Sequence, residues 1–275
     1  MSIAIGARAH DYGKMPADVL AKTIVTAGFS HVQLAAHKAI QGVETLAGTT
    51  EQDMANVRTA FEKENLGVSI LGCYIEPALP DKTDRLAQVD IFKRGITNAK
   101  VLGTSVIGTE TTHLAPDTPQ DERDKRFADL LDSVLRMTEV AEKENITIAI
   151  EPVADHTLNT PELTRTLLDK VGSDKLKVIF DPFNLTLPSQ VDNQARIYQA
   201  VFDLLSNDIA IIHLKDMVVQ DNKKTWANIG TGQIRYDVIF PHLNKHWAHV
   251  PMLREEVKPE FAHIDIQNFL KFRAL

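Results

Sequence analysis

Cysteine is nearly missing from this sequence: among 275 residues there is one, Cys73. A lone thiol cannot close an internal disulfide, and a reducing, cytoplasmic compartment is the natural setting. Runs of positive charge are missing too. No stretch of Lys and Arg is longer than two residues, and the formal net charge is −7. Neither feature fits a nucleic-acid footprint. The opening "MSIAIGARAH" has no basic leader and only a very short apolar run, so it reads as neither a signal peptide nor a membrane span. No GxGxxG follows the first strand-like run, and GxxxxGKS/T occurs nowhere. Their absence weakens a doubly wound nucleotide-binding sheet. No Gly/Ser/Pro-rich linker divides the chain, so residues 1–275 are expected to form one domain.

What is present is a regular alternation. Short apolar runs rich in β-formers cover residues 2–7, 31–35, 67–74, 104–110, 146–151, 176–181, 208–214 and 250–256. Between and after them lie helix-like segments at 16–28, 51–65, 84–102, 121–144, 161–171, 191–206, 235–246 and 263–274, with apolar residues three and four apart. Strand and helix in strict alternation imply parallel strands joined by crossover helices. Eight such units predict an α/β fold, a single-domain (β/α)8 TIM barrel.

Barrels of this kind place their active sites at the C-terminal ends of the strands. The fifth run, "ITIAIE", ends on Glu151, the sixth on Asp181 in "FDPFN", the seventh carries His213 in "IHLKD", and the eighth reaches Glu255 and Glu256 in "PMLREE". Earlier runs add His10, Gln33, Glu76 and Glu110. Taken singly these have ordinary explanations. Asp181 before a proline suits a turn, a strand histidine is usually a satisfied polar residue, and Glu255–Glu256 can be a charged pair leading into a loop. The joint pattern is harder to explain away. Carboxylates converging in a buried space repel one another and are costly to desolvate. A divalent cation removes both penalties. Three carboxylates and one imidazole suit Mn2+, Mg2+, Co2+ or Zn2+, and the oxygen-rich set leans towards Mn2+ or Mg2+.

With "IEPV", "FDPFN", "IHLKD", "IGTG" and "PMLREE" in this order, the sequence resembles the xylose isomerase-like TIM barrels of the sugar phosphate isomerase/epimerase superfamily. The resemblance implies a single divalent metal, Mn2+ by preference, held by Glu151, Asp181, His213 and one of Glu255 or Glu256. Glu255 is favoured because Leu253 would then share its inward face. It also implies a carbohydrate substrate and acid–base work by Glu151 and Glu255. Supporting positions are His156, Asn184, Lys215, Glu110 and Trp226, the last in a flexible glycine loop, "WANIGTG". Asn184 and Val219 stand where ketose 3-epimerases of this superfamily tend to carry His and Arg, which weakens that particular assignment. A dehydratase acting on an inosose- or dehydroshikimate-type ketone remains an alternative, as does a sugar-binding barrel without catalysis. A homo-oligomer, no nucleic acid and no membrane complete the expectation.

Overall fold

The computed structural model describes residues 5–115 and 117–274. Residues 2–4 of the first predicted strand lie outside them. The barrel strands are β1 (Gly6–Arg8), β2 (His31–Leu34), β3 (Gly67–Gly72), β4 (Val106–Thr109), β5 (Thr147–Ile150), β6 (Leu176–Phe180) and β7 (Ile209–Leu214), and, after a hairpin, β10 (Met252–Arg254). Neighbours pair in parallel, and β1 pairs with both β2 and β10, so the sheet closes into an eight-stranded barrel. Among the described residues the barrel leaves none of its strands as an edge, which separates this fold from an open doubly wound sheet.

Helices α1 (Ala17–Thr26), α3 (Glu51–Lys63), α4 (Lys82–Leu102), α5 (Gln120–Glu144), α6 (Pro161–Val171), α7 (Gln194–Leu205), α8 (Tyr236–His246) and α9 (Ala262–Arg273) surround it. Their ends follow from local chemistry. Thr50 and Asp53 cap α3 reciprocally, Asp81 accepts from the Asp84 amide at the start of α4, and Thr160 accepts from Leu163 just before Pro161. Gly103, Asn145 and Gly172 adopt left-handed backbone where α4, α5 and α6 stop.

Among the α-helices and strands, two features were not expected. One is the single turn α2 (Ala36–Ala39). The other is an antiparallel hairpin, β8 (Asp216–Gln220) and β9 (Lys223–Ala227). Its two-residue turn is Asp221–Asn222, with φ of 51° and 57°. Positive φ at both central residues defines the tight turn that matches the twist of paired strands, and Asp and Asn tolerate it better than most residues. Trp226 therefore sits on a strand rather than in a flexible glycine loop.

Most buried apolar residues lie between strands and helices. A second, smaller cluster fills the barrel interior: Ile70, Ala149, Ile179, Ile211 and Leu253. The interior is narrow. A Cβ on Gly108 would lie 2.5 Å from Ile70 Cδ1 and 3.1 Å from Ile179 Cδ1. Side chains two residues beyond an inward residue also point inward. From Ala149, Ile179, Ile211 and Leu253 that step leads to Glu151, Asp181, His213 and Glu255.

Candidate metal centre and active site

Those four residues are all buried. Glu151, Asp181 and His213 each offer a ligand atom, and these atoms lie within 4.8 Å of one another, a group able to hold a divalent cation. His213 Nδ1 lies 3.3 Å from Glu151 Oε2, 3.8 Å from Asp181 Oδ2 and 3.5 Å from Glu255 Oε1. None of these contacts is aligned as a hydrogen bond, and neither ring nitrogen of His213 has a hydrogen-bond partner. A buried imidazole normally finds one. Here the nitrogen is aimed at carboxylate oxygens across a gap, and the donor set of oxygens and one imidazole fits a divalent ion.

Glu255 stands at the edge of this group, bound by cations and an amide. Lys215 Nζ is 2.7 Å from its Oε2, Arg8 is 3.5 Å from the same oxygen, and Gln33 Nε2 donates to Oε1 at 2.8 Å. Gln33 also donates to the Tyr74 hydroxyl. Lys215 reaches Asp181 Oδ2 at 2.8 Å as well, so its ammonium lies between two carboxylates. Asp181 Oδ1 accepts from the amides of Phe183 and Asn184. The Asn184 side chain donates to Glu151 Oε1 at 2.7 Å. Glu256, by contrast, takes a left-handed φ of 57° and joins none of these contacts.

The electrostatics follow from burial and close charges. Burial opposes ionisation of Glu255, but His213, Lys215 and Arg8 outweigh it and hold this carboxyl well below the usual range. Burial is likewise overcome at Glu151, chiefly by His213, and its pKa is lowered. Asp181 goes the other way, raised by burial and by the charge of Glu151 despite Lys215. Burial would lower His213, yet Glu255 and Glu151 raise it to about 8. Glu110 is pushed up to about 7 by burial and by Glu151, with Lys215 opposing, which places it in the field of the same centre.

The remaining predicted residues divide. Gln33, Asn184 and Lys215 join the centre directly. His156 follows β5 in a loop, its ring edge-on to His113 at 6.0 Å, and makes no hydrogen bond to the four central residues. His10 sits beside Arg8 and Lys38; burial and those charges lower it to about 4. Glu76 is exposed and plays no part in the centre, because its strand has already left the barrel rim. Trp226 donates to the Glu256 carbonyl at 2.8 Å and packs against Phe261, so it is tied to the loop after β10.

Sequence reasoning passed over Arg8, Tyr74 and Lys224. The signal for Arg8 was its two-residue step from Gly6, whose missing Cβ would meet Leu253 inside the barrel. Ending the first strand at Ala7 hid it. Tyr74 takes the same step beyond Gly72.

A closed eight-stranded parallel barrel with acidic and imidazole side chains gathered at its C-terminal rim defines a class, and residues 21–270 match the family of xylose isomerase-like TIM barrels. The chain belongs to that family. Among solved structures it is similar to the 3-keto-D-glucoside 4-epimerase of E. coli, with a TM-score of 0.77, 16% identity and 100% of both chains covered. It is also similar to the IOLI protein with a bound zinc atom, with a TM-score of 0.71, 16% identity, and 95% of this chain and 98% of that one covered. A xylose isomerase-like TIM barrel protein from Mycobacterium smegmatis in complex with magnesium gives a TM-score of 0.71 at 16% identity, covering 99% of this chain and 98% of its own. Identities this low speak to the fold alone. No curated protein matches the chain significantly. No helix among the described residues is long and apolar enough to cross a membrane.

Proposed function

We propose that the chain is a divalent-metal-dependent isomerase or epimerase acting on a sugar or sugar phosphate. The observation that carries this reading is the meeting of Glu151, Asp181 and Glu255 around His213 Nδ1, with no hydrogen bond to that nitrogen. In this reading Glu151, Asp181, His213 and Glu255 hold the cation, Mn2+ by preference. The zinc and magnesium in the two related structures above support a metal here without selecting one. The sugar epimerase among those relatives supports a carbohydrate substrate.

A bound divalent cation supplies Lewis-acid charge next to the substrate's carbonyl and neighbouring hydroxyl. The chain's own residues do the rest. Glu151 and Glu255 are both held ionised and flank the centre from different strands, so one takes the proton beside the carbonyl and the other returns one. Return to the neighbouring carbon, with the hydroxyl proton passing to the former carbonyl oxygen, isomerises, and return to the same carbon from the opposite face epimerises. The proton loss leaves an enediolate, and the Lys215 ammonium stands where it can offset the new negative charge. Asn184 orients Glu151, and Gln33 orients Glu255.

The test is exchange of carbon-bound hydrogen for deuterium in D2O, followed by NMR across a panel of ketoses and ketose phosphates with Mn2+ present. The expected result is deuterium at the carbon beside the carbonyl of at least one sugar, abolished in Glu151→Gln. Loss of water from the substrate would instead assign a lyase. Ligand binding without exchange, unchanged by Glu151→Gln, would assign a non-catalytic barrel.

A further inference from the structure

The hairpin β8–β9 leaves the barrel directly after Lys215 and lies beside the loops that follow β5 and β6. Between them is a groove of about 530 Å³, lined by Asp155, Phe183, Asn184, Asn222, Lys223 and Lys224 together with apolar side chains. Two of its lining residues also touch the candidate metal centre. The Phe183 and Asn184 amides donate to Asp181, and the Asn184 side chain donates to Glu151. Lys215 and Lys224 lie over the one Phe183 ring, at 5.6 and 4.4 Å from its centroid. A sugar-sized molecule can therefore touch the centre at one end and Lys224 at the other.

Lys224 has an uncommon environment. It is half-buried, and its Nζ donates to the Phe183 carbonyl at 2.6 Å. Among the described residues no carboxylate lies within ion-pair distance of it. Removal from water is unfavourable for the charged form, and burial lowers its pKa, with Asp181 and Asp155 opposing from beyond ion-pair distance. The acidic residue of the groove, Asp155, lies 3.9 Å from both His113 and His156. The lining thus carries two lysines against one aspartate, in a chain whose net charge is −7.

We infer that this groove is a subsite for an anionic group, a phosphate or a carboxylate, at the end of the substrate remote from the reacting carbons, with Lys224 as its principal cation. The inference rests on the reading of the barrel as a sugar isomerase or epimerase and names its substrate class as sugar phosphates or sugar acids rather than neutral sugars. Lys224 supplies charge-assisted hydrogen bonds from its remaining protons, and the side chains of Lys223 and Asn222 supply further donors at the hairpin tip.

The experiment is calorimetric titration of the Mn2+-loaded protein with D-fructose 6-phosphate, D-gluconate, D-fructose and inorganic phosphate, repeated with Lys224→Met and Lys224→Arg. The expected result is binding of at least one organic anion at least about tenfold tighter than fructose. That preference is lost in Lys224→Met, kept in Lys224→Arg and weakened by added NaCl. Preference for fructose 6-phosphate assigns a phosphate, and preference for gluconate a carboxylate. Equal binding of fructose and the anions, or anion binding unaffected by Lys224→Met, overturns the inference. Mn2+ binding is recorded on the same proteins. Mn2+ uptake without anion preference removes the subsite alone. Inorganic phosphate held through Lys224 by a protein that takes up no Mn2+ removes the metal-enzyme reading and leaves the subsite standing.

Discussion

His213 is fully buried among three carboxylates, and its protonation governs what the centre can bind. Its pKa in the metal-free protein is raised from 6.5 to about 8; burial works against this, and Glu255 and Glu151 drive it. A cation needs the neutral imidazole, so it has to displace a proton wherever the pH is below about 8. Mn2+ affinity is therefore expected to fall steadily as pH drops from 8 towards 6, with proton release visible as a buffer dependence of the calorimetric heat. The folding stability of the metal-free protein runs the opposite way. A folded pKa above the unfolded value gives stability that is complete below pH 6.5 and lost as pH rises through 8. Urea melts of chelator-treated protein at pH 6 and pH 8.5 check this, and the difference should shrink in His213→Gln to the part that Glu110, raised to about 7, contributes with the same sign.

Among the elements, the last strand is the most instructive. Arg254 breaks the apolar pattern of "PMLREE". In the fold it is fully buried and paired with Asp265 of α9 at 2.7 Å. It also donates to the carbonyls of Leu214 at 3.2 Å, Ala227 at 3.1 Å and Glu255. Asp265 in turn accepts from the Ile229 amide. One guanidinium thus joins the ends of β7 and β10 to the foot of the hairpin and to α9. Removing one partner strands the other charge in the interior, so Arg254→Met is expected to cost about 3–5 kcal/mol by urea unfolding. Adding Asp265→Leu to that variant should recover much of the loss, because the stranded carboxylate is gone. No recovery would mean that the carbonyl contacts, not the ion pair, carry the energy.

The same element shows what a sequence can and cannot disclose. The inward face was legible: alternation from Ile211 to His213 and from Leu253 to Glu255 follows from strand geometry alone. So was the start of α6, because Thr160 acts on an amide three residues away and Pro161 follows it. Arg254, Arg8 and Lys224 were not. Their distant partners are Asp265, Glu255 and Phe183, contacts that the fold creates, although Arg8 also pairs locally with Asp11 at 2.7 Å. The hairpin was hidden for another reason. Asp-Asn is a weaker turn signal than Asn-Gly, and the glycines downstream at 230 and 232 suggested a loop. Those glycines in fact lie close to Asp216, whose carboxylate accepts from both of their amides.

At the scale of the whole molecule, the barrel concentrates acidity where it would otherwise be least tolerated. Three carboxylates meet at one rim of a chain with a net charge of −7, and Lys215 with Arg8 offsets only part of that charge. A ligand that completes the neutralisation binds the folded state and not the unfolded one, and so stabilises it. At a free Mn2+ concentration about 100 times Kd the gain is about 2.7 kcal/mol, or roughly 5–10 °C in Tm for a chain near this size. Differential scanning fluorimetry with and without Mn2+ reads this directly. The shift should disappear when His213 or Asp181 is replaced and persist in Lys224→Met, which lies outside the centre.

The central claim is that Glu151, Asp181, His213 and Glu255 together hold a divalent cation. Calorimetric titration of Mn2+ into chelator-stripped protein at pH 8, with Asp181→Asn alongside, tests it most directly. The account predicts saturable binding at a single site in the wild type and its loss in the variant. Absence of binding in the wild type, or equal binding in both proteins, would contradict it.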